Sequence, residues 1–206
     1  MTEVTDRISR RQVDKFAERR AQLATSALRT LSELGYARTS LREIAQNSEF
    51  SHGVLHYYFR DKVELITHCV KVYKAECVTR YDQIVTTAES AEDLREDFAE
   101  ALAGTCREDA ALHRLWYDLR NQALFEESFR TDVLEIDKSL ESMIWRIVST
   151  YADLSDRPPS VTPATAYGLL DGLFQQALLR QLSGDPAALE DLRSGVVQTL
   201  PKLLEA

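Results

Sequence analysis

Hydrogen-bonding and aromatic side chains are concentrated between Thr39 and Lys62, in the sequence TSLREIAQNSEFSHGVLHYYFRDK. The apolar spacing predicts a short helix, a tight turn and a second short helix, and the second helix carries hydroxyl, imidazole and phenol groups. Two short helices joined by a turn of a few residues form the unit that inserts a recognition helix into the DNA major groove. The segment therefore predicts a helix-turn-helix for duplex DNA.

The starts of these helices are marked by residues that satisfy free backbone amides. Ser40 and Glu43 have the spacing of a capping box, in which each side chain accepts a hydrogen bond from the backbone of the other. Ser51 is placed to cap the second short helix, and Asp61 with Glu64 forms an acidic start for a third. These caps predict three consecutive helix starts within about 25 residues.

Charge is distributed unevenly along the 206 residues. The net charge is −8, but residues 1–62 hold eleven Lys or Arg and eight Asp or Glu, whereas the remainder holds fourteen and twenty-five. An asymmetry of this kind indicates that one part of the chain meets a polyanion. The basic residues nearest the helix-turn-helix are Arg7, Arg10, Arg11, Lys15, Arg19 and Arg20. A merely solvated amphipathic N-terminus is the alternative.

Composition favours a cytoplasmic helical protein. No run of 18 apolar residues and no signal-peptide pattern is present. The three cysteines are odd in number and lack C-x-x-C spacing, which fits reduced thiols better than disulfides or a zinc site. No cofactor and no membrane partner is expected.

Helical periodicity runs through nearly every segment, and no strand pattern competes with it. We predict an all-α fold whose first helix ends at Gly35 and whose loop at 155–163 contains three prolines. The other helices are predicted at 62–87, from 90 to near Gly104, at 108–123, at 126–152, from Thr162 and Pro163 to Ser183, and from Asp185 onward.

The N-terminal motifs resemble those of the TetR family of bacterial transcriptional regulators. The matching residues are G-Y-x-x-T-S-x-R-x-I-A at 35–45, S-x-G-x-L at 51–55, Y-F at 58–59, and Lys62 with Leu65. The segment from Leu169 to Leu173 is loosely similar to the BetI-like branch. The resemblance implies a helix-turn-helix DNA-binding domain at 1–62 and a helical ligand-binding and dimerisation domain at 63–206.

Two positions depart from the family pattern. The turn commonly has a small residue followed by glycine, whereas this chain has Ser48 and Glu49, so we expect backbone strain at Glu49. A position commonly occupied by a phosphate-contacting tyrosine is His56. The identity of that backbone contact is therefore open.

The resemblance implies that the helix Ser51–Phe59 enters the major groove. His52 and Tyr57 would then contact base edges, Val54 would offer a methyl surface to thymine, and Arg42 would contact base or backbone. The expected phosphate contacts are Thr39, Ser40, Ser51, His56, Tyr58 and Lys62. His52 and His56 are also spaced for a shared metal ion, but no further Cys or His completes that set.

A ligand site is predicted from aromatic residues in the middle of the chain. The expected members are Trp116, Tyr117, Phe125, Trp145 and Asp171. Rings of this kind line cavities for apolar or cationic small molecules, and Asp171 could pair with a cation. Ordinary core packing is the alternative for each of these rings, and the effector is unknown.

The resemblance also implies a homodimer formed by the last two long helices. Gly168 and Gly172 are four residues apart, which allows close approach of another helix. The expected interface residues are Gly168, Leu169, Gly172, Leu173, Phe174, Leu178, Leu192 and Val196. A contact within one subunit is the alternative.

These predictions together describe a ligand-responsive regulator, expected to be a repressor, that binds a palindromic operator as a homodimer. A ligand that prefers a different tilt of the helix at 62–87 would lower DNA affinity. An enzyme is not expected, because no nucleophile–base pair, phosphate loop or metal set is present. An all-helical protein-interaction module is the alternative function.

Overall fold

The computed structural model describes residues 2–36 and 38–205, with the backbone alone described for residues 2–13. These residues form ten α-helices, and Pro159 and Leu204 make one isolated antiparallel bridge. The predicted all-α fold is confirmed. The helices are α1 (Thr2–Leu34), α2 (Leu41–Gln46), α3 (His52–Tyr58), α4 (Lys62–Cys77), α5 (Asp82–Thr87), α6 (Ala91–Glu108), α7 (Ala110–Gln122), α8 (Arg130–Ser155), α9 (Pro163–Leu182) and α10 (Ala188–Thr199), with short 3₁₀ helices at Glu127–Phe129 and Leu200–Leu203.

None of the helices within the described ranges is both long and apolar enough to cross a membrane.

The N-terminal unit packs α2 and α3 against α1 and α4. Its apolar side chains are almost fully removed from solvent, and each such burial contributes roughly 1.5–3 kcal/mol. The members of this core are Leu23, Ala27, Leu31, Ile44, Leu55, Phe59, Leu65 and Ile66. α4 begins at Lys62, and it packs along α1 before continuing into the C-terminal unit.

The predicted helix starts are confirmed. The backbone N–H of Ser40 donates to Glu43 Oε2 at 2.7 Å, and that of Glu43 donates to Ser40 Oγ at 3.2 Å, which completes the capping box. Ser51 and Asp61 each accept a hydrogen bond from a backbone N–H in the first turn of α3 and α4. The local sequence thus fixes where the helix-turn-helix begins and where it passes into α4.

The helix predicted over 62–87 is divided in two. α4 ends at Cys77, a turn follows, and α5 begins at Asp82. The Arg146 guanidinium donates to the Val78 carbonyl, and it also donates to Asp82 Oδ1 at 2.7 Å. Because these contacts come from α8, 64 and 68 residues away, the apolar period of the segment gives no sign of the break.

Two other local predictions were wrong. α6 continues through Gly104 to Glu108, since a single glycine costs a helix interior only about 1 kcal/mol and α6 is held by its packing. Glu49 is not strained, because among the described residues Asp156 is the one non-glycine with positive φ. The turn between α2 and α3 is made without a left-handed residue at Glu49.

The C-terminal unit packs α10 against α6 and α9, while α8 lies against α9 and α6. Thr162 caps α9, Pro163 occupies its first turn, and Gly184 has φ +80 just beyond its end, as predicted. The boundaries of α9 therefore follow from local sequence.

Candidate DNA-binding face and ligand cavity

α3 has one buried face and one exposed face. Leu55, together with Phe59 directly after the last residue of α3, has no exposed surface. These two side chains fix α3 to the N-terminal core. His52, His56 and Tyr57 are exposed, and 73% of Tyr57 is open to solvent. A short helix rigidly anchored on one side and rich in hydrogen-bonding groups on the other matches the shape required for groove insertion.

Aromatic contacts hold the exposed face in place. The Phe16 ring of α1 lies 4.8 Å from the Tyr58 ring and 6.2 Å from the Tyr57 ring, measured between centroids. The rings of His52 and His56 meet edge to face at 4.4 Å. The side chains predicted to approach DNA are thus partly ordered before any contact is made.

The predicted phosphate contacts lie in different environments. Ser40 and Ser51 are exposed at the starts of α2 and α3, and Arg42 is exposed on α2. Thr39 is buried, and its hydroxyl donates to the Gly35 carbonyl at 2.6 Å. The Thr39 hydroxyl is therefore committed to the end of α1 rather than facing outward.

Lys62 and Val54 are also less open than the sequence predicts. The Lys62 ammonium lies 4.0 Å from the centroid of the Tyr36 ring, and burial lowers its pKa. Val54 is half-buried and packs against the core. Both residues lie at the margin of the exposed face.

The basic residues of α1 divide into exposed and engaged groups. Lys15 is exposed, and Arg19 is exposed but lies over the Phe50 ring at 4.7 Å. Arg20 pairs with Glu64 at 2.9 Å and lies over the Phe59 ring at 4.6 Å. The side chains of Arg7, Arg10 and Arg11 lie outside the described residues. Lys15 and Arg19 are thus the α1 cations near the face whose positions are described.

A cavity of about 60 Å³ lies in the C-terminal unit, among α4, α6, α7, α8 and α9. Apolar and aromatic side chains form most of its wall, together with a few charged groups. The lining residues are Lys74, Cys77, Arg80, Tyr81, Leu102, Thr105, His113, Trp116, Tyr117, Leu140, Met143, Ile144, Tyr167, Leu170, Asp171 and Phe174.

Three of the five predicted ligand residues line this cavity, namely Trp116, Tyr117 and Asp171. Phe125 does not, because it lies in the turn after α7 with 84% of its surface exposed. Trp145 is half-buried on α8 and is absent from the lining, because Leu140, Met143 and Ile144 form that wall. Phe125 and Trp145 therefore lie outside this cavity, and their assignment to a ligand site stays a prediction.

Lys74 and His113 also line the cavity, and neither was predicted from the sequence. Lys74 continues the buried stripe of α4 through Ile66, Val70 and Cys77, at spacings of four, four and three. A lysine on a buried stripe could have indicated the site, because Lys is almost never fully buried unless its charge is paired.

Lys74 begins a chain of hydrogen bonds beside the cavity. Its ammonium lies 3.4 Å from His113 Nδ1, and His113 Nε2 lies 3.2 Å from the Tyr73 hydroxyl. Because an ammonium only donates, Nδ1 accepts and the proton of neutral His113 lies on Nε2. Tyr73 then donates to Asp109 at 3.3 Å, and Asp109 also pairs with Arg80 at 2.6 Å.

Burial determines the protonation of this chain. Desolvation lowers the pKa of Lys74 to about 8 and, aided by the positive charge of Lys74, lowers that of His113 to about 2. At neutral pH Lys74 is therefore mostly charged and His113 is neutral.

Asp171 lies at another part of the cavity wall and has strong partners of its own. The Tyr117 hydroxyl donates to Asp171 Oδ1 at 2.8 Å, and the Arg120 guanidinium donates to Oδ2. Arg120 also pairs with Asp137 at 3.3 Å, and Tyr167 donates to Asp137 at 2.6 Å. Burial raises the pKa of both tyrosines, so they remain neutral donors.

α7 connects the cavity to the DNA-binding unit. It carries His113, Trp116 and Tyr117 on the cavity wall, whereas Asp118 accepts a hydrogen bond from the Tyr36 backbone N–H at 2.8 Å. Arg114 donates to the carbonyls of two residues near the end of α1. One helix thus contacts both the cavity and the end of α1.

Four of the predicted interface residues are buried within the subunit. Leu192 and Val196 belong to the core formed where α10 packs on α6 and α9, and Phe174 and Leu178 turn inward from α9. Their assignment to a dimer interface stays a prediction, because helical spacing alone cannot distinguish an internal from an external contact.

α9 nevertheless has an exposed apolar strip. Gly168, Leu169 and Gly172 are exposed, and Leu173 is half-buried with its side chain near Gly195. Leu179 is 68% exposed and Leu182 is 44% exposed, and neither was predicted. The sequence pattern that could have indicated Leu179 and Leu182 is their helical spacing on one face of α9. This face contains Leu169, Gly172, Gln176, Leu179 and Leu182.

Within the described residues, no group of three or more His, Cys, Asp or Glu side chains is placed to hold a metal ion.

Comparisons with known proteins agree with this geometry. The family of bacterial regulatory proteins known as the tetR family matches residues 23–69, which include α2, α3 and the start of α4. No curated protein matches the chain significantly.

Solved structures resemble the whole chain. A TetR transcription regulator from Haloarcula marismortui has 19% identity and a TM-score of 0.74, with 92% of this chain and 100% of that chain covered. FadR from Bacillus subtilis in complex with stearoyl-CoA has 17% identity and a TM-score of 0.68, covering 87% and 96%. A candidate transcriptional regulator from Saccharomonospora viridis in complex with choline has 14% identity and a TM-score of 0.74, covering 92% and 100%.

At these identities the structural likeness establishes the fold, and the family match is confined to the N-terminal segment. That segment contains the helix-turn-helix whose caps, anchors and exposed face are described above. Residues 23–69 therefore match the tetR family of bacterial regulatory proteins, and the chain has the fold of solved TetR transcription regulators.

Proposed function

We propose that the protein is a ligand-responsive repressor that binds a palindromic operator as a homodimer in the cytoplasm, without catalysing a reaction. The observation that carries the proposal is the division of α3 into a buried side, with Leu55 and Phe59, and an exposed side, with His52, His56 and Tyr57. Such a helix presents hydrogen-bonding groups to base edges while its backbone stays fixed.

The proposed DNA contacts are the predicted residues whose side chains are exposed to solvent. His52 and Tyr57 contact base edges, and His56 lies close enough on the same face to contact base or phosphate. Ser40, Ser51 and Arg42 are exposed around this face and position the helix through the phosphates. Thr39 is left out of the set, because its hydroxyl is bound to the Gly35 carbonyl.

Tyr58, Val54 and Lys62 are proposed to support these contacts from the margin. Tyr58 packs on Phe16, Val54 packs on the core, and Lys62 lies over Tyr36. Each therefore sets the position of the exposed face in addition to any contact of its own.

The homodimer is proposed to form through the exposed strip of α9. Gly168 and Gly172 allow a partner helix to approach, and Leu169, Leu179 and Leu182 supply apolar surface. A twofold dimer presents two copies of α3 to successive turns of DNA, about 34–36 Å apart, which requires a near-palindromic operator.

The ligand response is proposed to pass through α4 and α7. α4 places Lys74 and Cys77 on the cavity and its N-terminus directly after α3, and α7 joins the cavity to the end of α1. A ligand that prefers a different position of either helix lowers operator affinity by its differential binding. The proposed division at residues 1–62 and 63–206 falls at the start of α4, whose first turns pack on α1.

A small-molecule effector is supported by the cavity and by the ligands of proteins with this fold. The Bacillus subtilis relative binds stearoyl-CoA and the Saccharomonospora viridis relative was solved with choline. These two ligands differ in size and charge, so the effector of this chain must be inferred from its own cavity.

Selection of bound sequences from random duplex DNA tests the proposal. The purified wild-type protein is expected to enrich a two-part palindrome with a fixed half-site spacing. The same selection is run with a variant that carries both His52→Ala and Tyr57→Ala. This variant should enrich no consensus sequence, and circular dichroism should show that it remains folded. Failure of the wild type to enrich any sequence would count against DNA reading.

A further inference from the structure

The Lys74 ammonium is buried without an anion beside it. Lys74 is 4% exposed, and among the described residues no carboxylate lies within salt-bridge distance of its ammonium. His113 Nδ1 accepts one of its three N–H groups, and the rings of Trp116 and Tyr73 lie 5.2 and 5.3 Å from the nitrogen. A buried cation in this setting retains unused donors and an uncompensated charge.

Trp116 supplies a second unused donor on the same wall. The residue is 1% exposed, it lines the cavity, and its indole N–H has no hydrogen-bond partner among the side chains and backbone that the structure describes. Buried polar groups are rarely left unsatisfied, because removing a donor from water without a new partner destabilises the folded state. Lys74 and Trp116 together therefore form a donor pair that an acceptor from outside the chain would complete.

The acidic side chains near the cavity are already engaged. Asp171 accepts from Tyr117 and Arg120, and Asp109 accepts from Tyr73 and Arg80. A cationic ligand would have to displace one of these donors, and it would also meet the positive charge of Lys74. The charge of the cavity thus opposes a quaternary ammonium ligand.

We infer that the effector is a small organic carboxylate, whose carboxylate group binds the Lys74 ammonium and the Trp116 indole N–H and whose apolar body lies against Leu140, Ile144 and Phe174. This inference rests on the proposed ligand response and names the chemical class of its ligand. The remaining lining side chains are mostly apolar, so they select a body without further polar groups.

The size of the cavity limits the ligand. An apolar cavity of ~150 Å³ holds benzene, whereas this cavity has a volume of about 60 Å³. A short aliphatic acid fits with little movement, and an aromatic acid must push the walls outward. Because α4 and α7 form part of the walls, a larger body moves the helices that reach the DNA-binding unit.

Calorimetric titration of the full-length protein tests the ligand class. The probes are butyrate and benzoate, each with its matched amide, butyramide or benzamide, and its matched cation, butylammonium or benzylammonium. At least one carboxylate is expected to bind about 10-fold or more tightly than its amide, as a charge-assisted hydrogen bond provides. Neither ammonium should bind. Equal or tighter binding of an amide or ammonium overturns the inference, and so does the absence of carboxylate binding at millimolar concentration.

Two variants locate the carboxylate. Lys74→Met should weaken carboxylate binding by about 10- to 100-fold while leaving amide binding unchanged, and Trp116→Phe should weaken it by about 10-fold. Lys138→Met and Trp145→Phe are the matched controls, since Lys138 is 72% exposed on its side chain and Trp145 does not line the cavity. If Lys74→Met does not fold, Trp116→Phe decides the test. Wild-type carboxylate affinity in both Lys74→Met and Trp116→Phe would overturn the assignment.

Operator binding without ligand separates this inference from the proposed function. If the protein binds its selected operator but does not prefer carboxylates, the assignment of the ligand class is wrong and the proposed function stands. If it binds carboxylates at Lys74 but selects no DNA sequence, the proposed function is wrong instead.

Discussion

The backbone N–H of Tyr36 donates to Asp118 Oδ2 at 2.8 Å, across 82 residues of sequence. Tyr36 follows the end of α1, and Asp118 lies on α7 one residue after Tyr117 of the cavity wall. This hydrogen bond ties the DNA-binding unit to the helix that carries three cavity residues. We expect a shift of α7 to reach the end of α1 through this hydrogen bond.

Removal of this tie should destabilise the protein. We expect Asp118→Ala to lower the free energy of unfolding by about 1–3 kcal/mol, because a partly buried N–H loses a charged acceptor. Urea denaturation measures the change. Asp97→Ala is the control, since Asp97 is exposed on α6, and it should lie within about 0.5 kcal/mol of wild type. Equal stability of the two variants would show that the tie contributes nothing.

Gly35 allows α1 to end against Asp118. Its φ is +75, and an added Cβ would lie 3.3 Å from Asp118 Oδ2. Gly35→Ala should therefore cost about 1–2 kcal/mol of stability, from the left-handed backbone conformation. Gly104→Ala is the matched change within α6, where no neighbouring atom lies within 4 Å of the added carbon, and it should stabilise by about 0.5–1 kcal/mol. Thermal unfolding of both variants checks this, and a shift of the same sign in both would contradict it.

The buried ammonium of Lys74 should destabilise the folded protein, and this effect should decrease as the pH rises. Its pKa is lowered from 10.5 to about 8 by burial, so between these values the unfolded chain binds more protons than the folded chain. Lys74 should therefore contribute an increase of about 3 kcal/mol to wild-type stability between pH 8 and 10.5, against an opposite contribution from buried groups with raised pKa such as Cys69 and Tyr117. Lys74→Met should lack this increase and be more stable than wild type at pH 7 by about 2–3 kcal/mol.

Chemical denaturation of wild type and Lys74→Met across this pH range measures the difference. Lys138→Met controls for the loss of an exposed lysine and should follow wild type. A Lys74→Met protein less stable than wild type at pH 7 would mean that the buried charge is compensated.

The exposed strip of α9 should hold the dimer together. Leu179→Glu places a charge on a residue that is 68% exposed, so it should leave the subunit folded but prevent burial of the strip against a partner. Analytical ultracentrifugation should show a monomer, and operator affinity should fall at least about 10-fold, because two half-sites are no longer bound together. Leu134→Glu, at a position 66% exposed on α8, is the control and should remain dimeric. A dimeric Leu179→Glu protein would place the interface elsewhere.

The helix-turn-helix could be predicted from sequence because its determinants are local. Ser40 with Glu43, Ser51 and Asp61 cap helices within their own first turns, so their spacing is sufficient. The exposure of His52 and Tyr57 follows from the inward positions of Leu55 and Phe59 on a helix of known period.

The cavity could not be predicted in the same way because its residues come from distant helices. Lys74 and His113 are 39 residues apart, and Tyr117 and Asp171 are 54 apart. The exposed Phe125 and the cavity-lining Trp116 are both aromatic and differ in packing, so aromatic content alone could not separate them. The end of α4 likewise depends on Arg146, which no local pattern reveals.

The exposed face of α3 is expected to distinguish one DNA sequence from another. Fluorescence anisotropy with the selected operator and with scrambled duplex of equal length tests it, using wild type and Tyr57→Ala at one salt concentration. We predict that Tyr57→Ala weakens operator binding by about 10- to 100-fold and leaves binding to scrambled DNA unchanged. Equal operator affinity of wild type and Tyr57→Ala, or equal loss on both duplexes, would contradict the claim that Tyr57 on α3 reads base sequence.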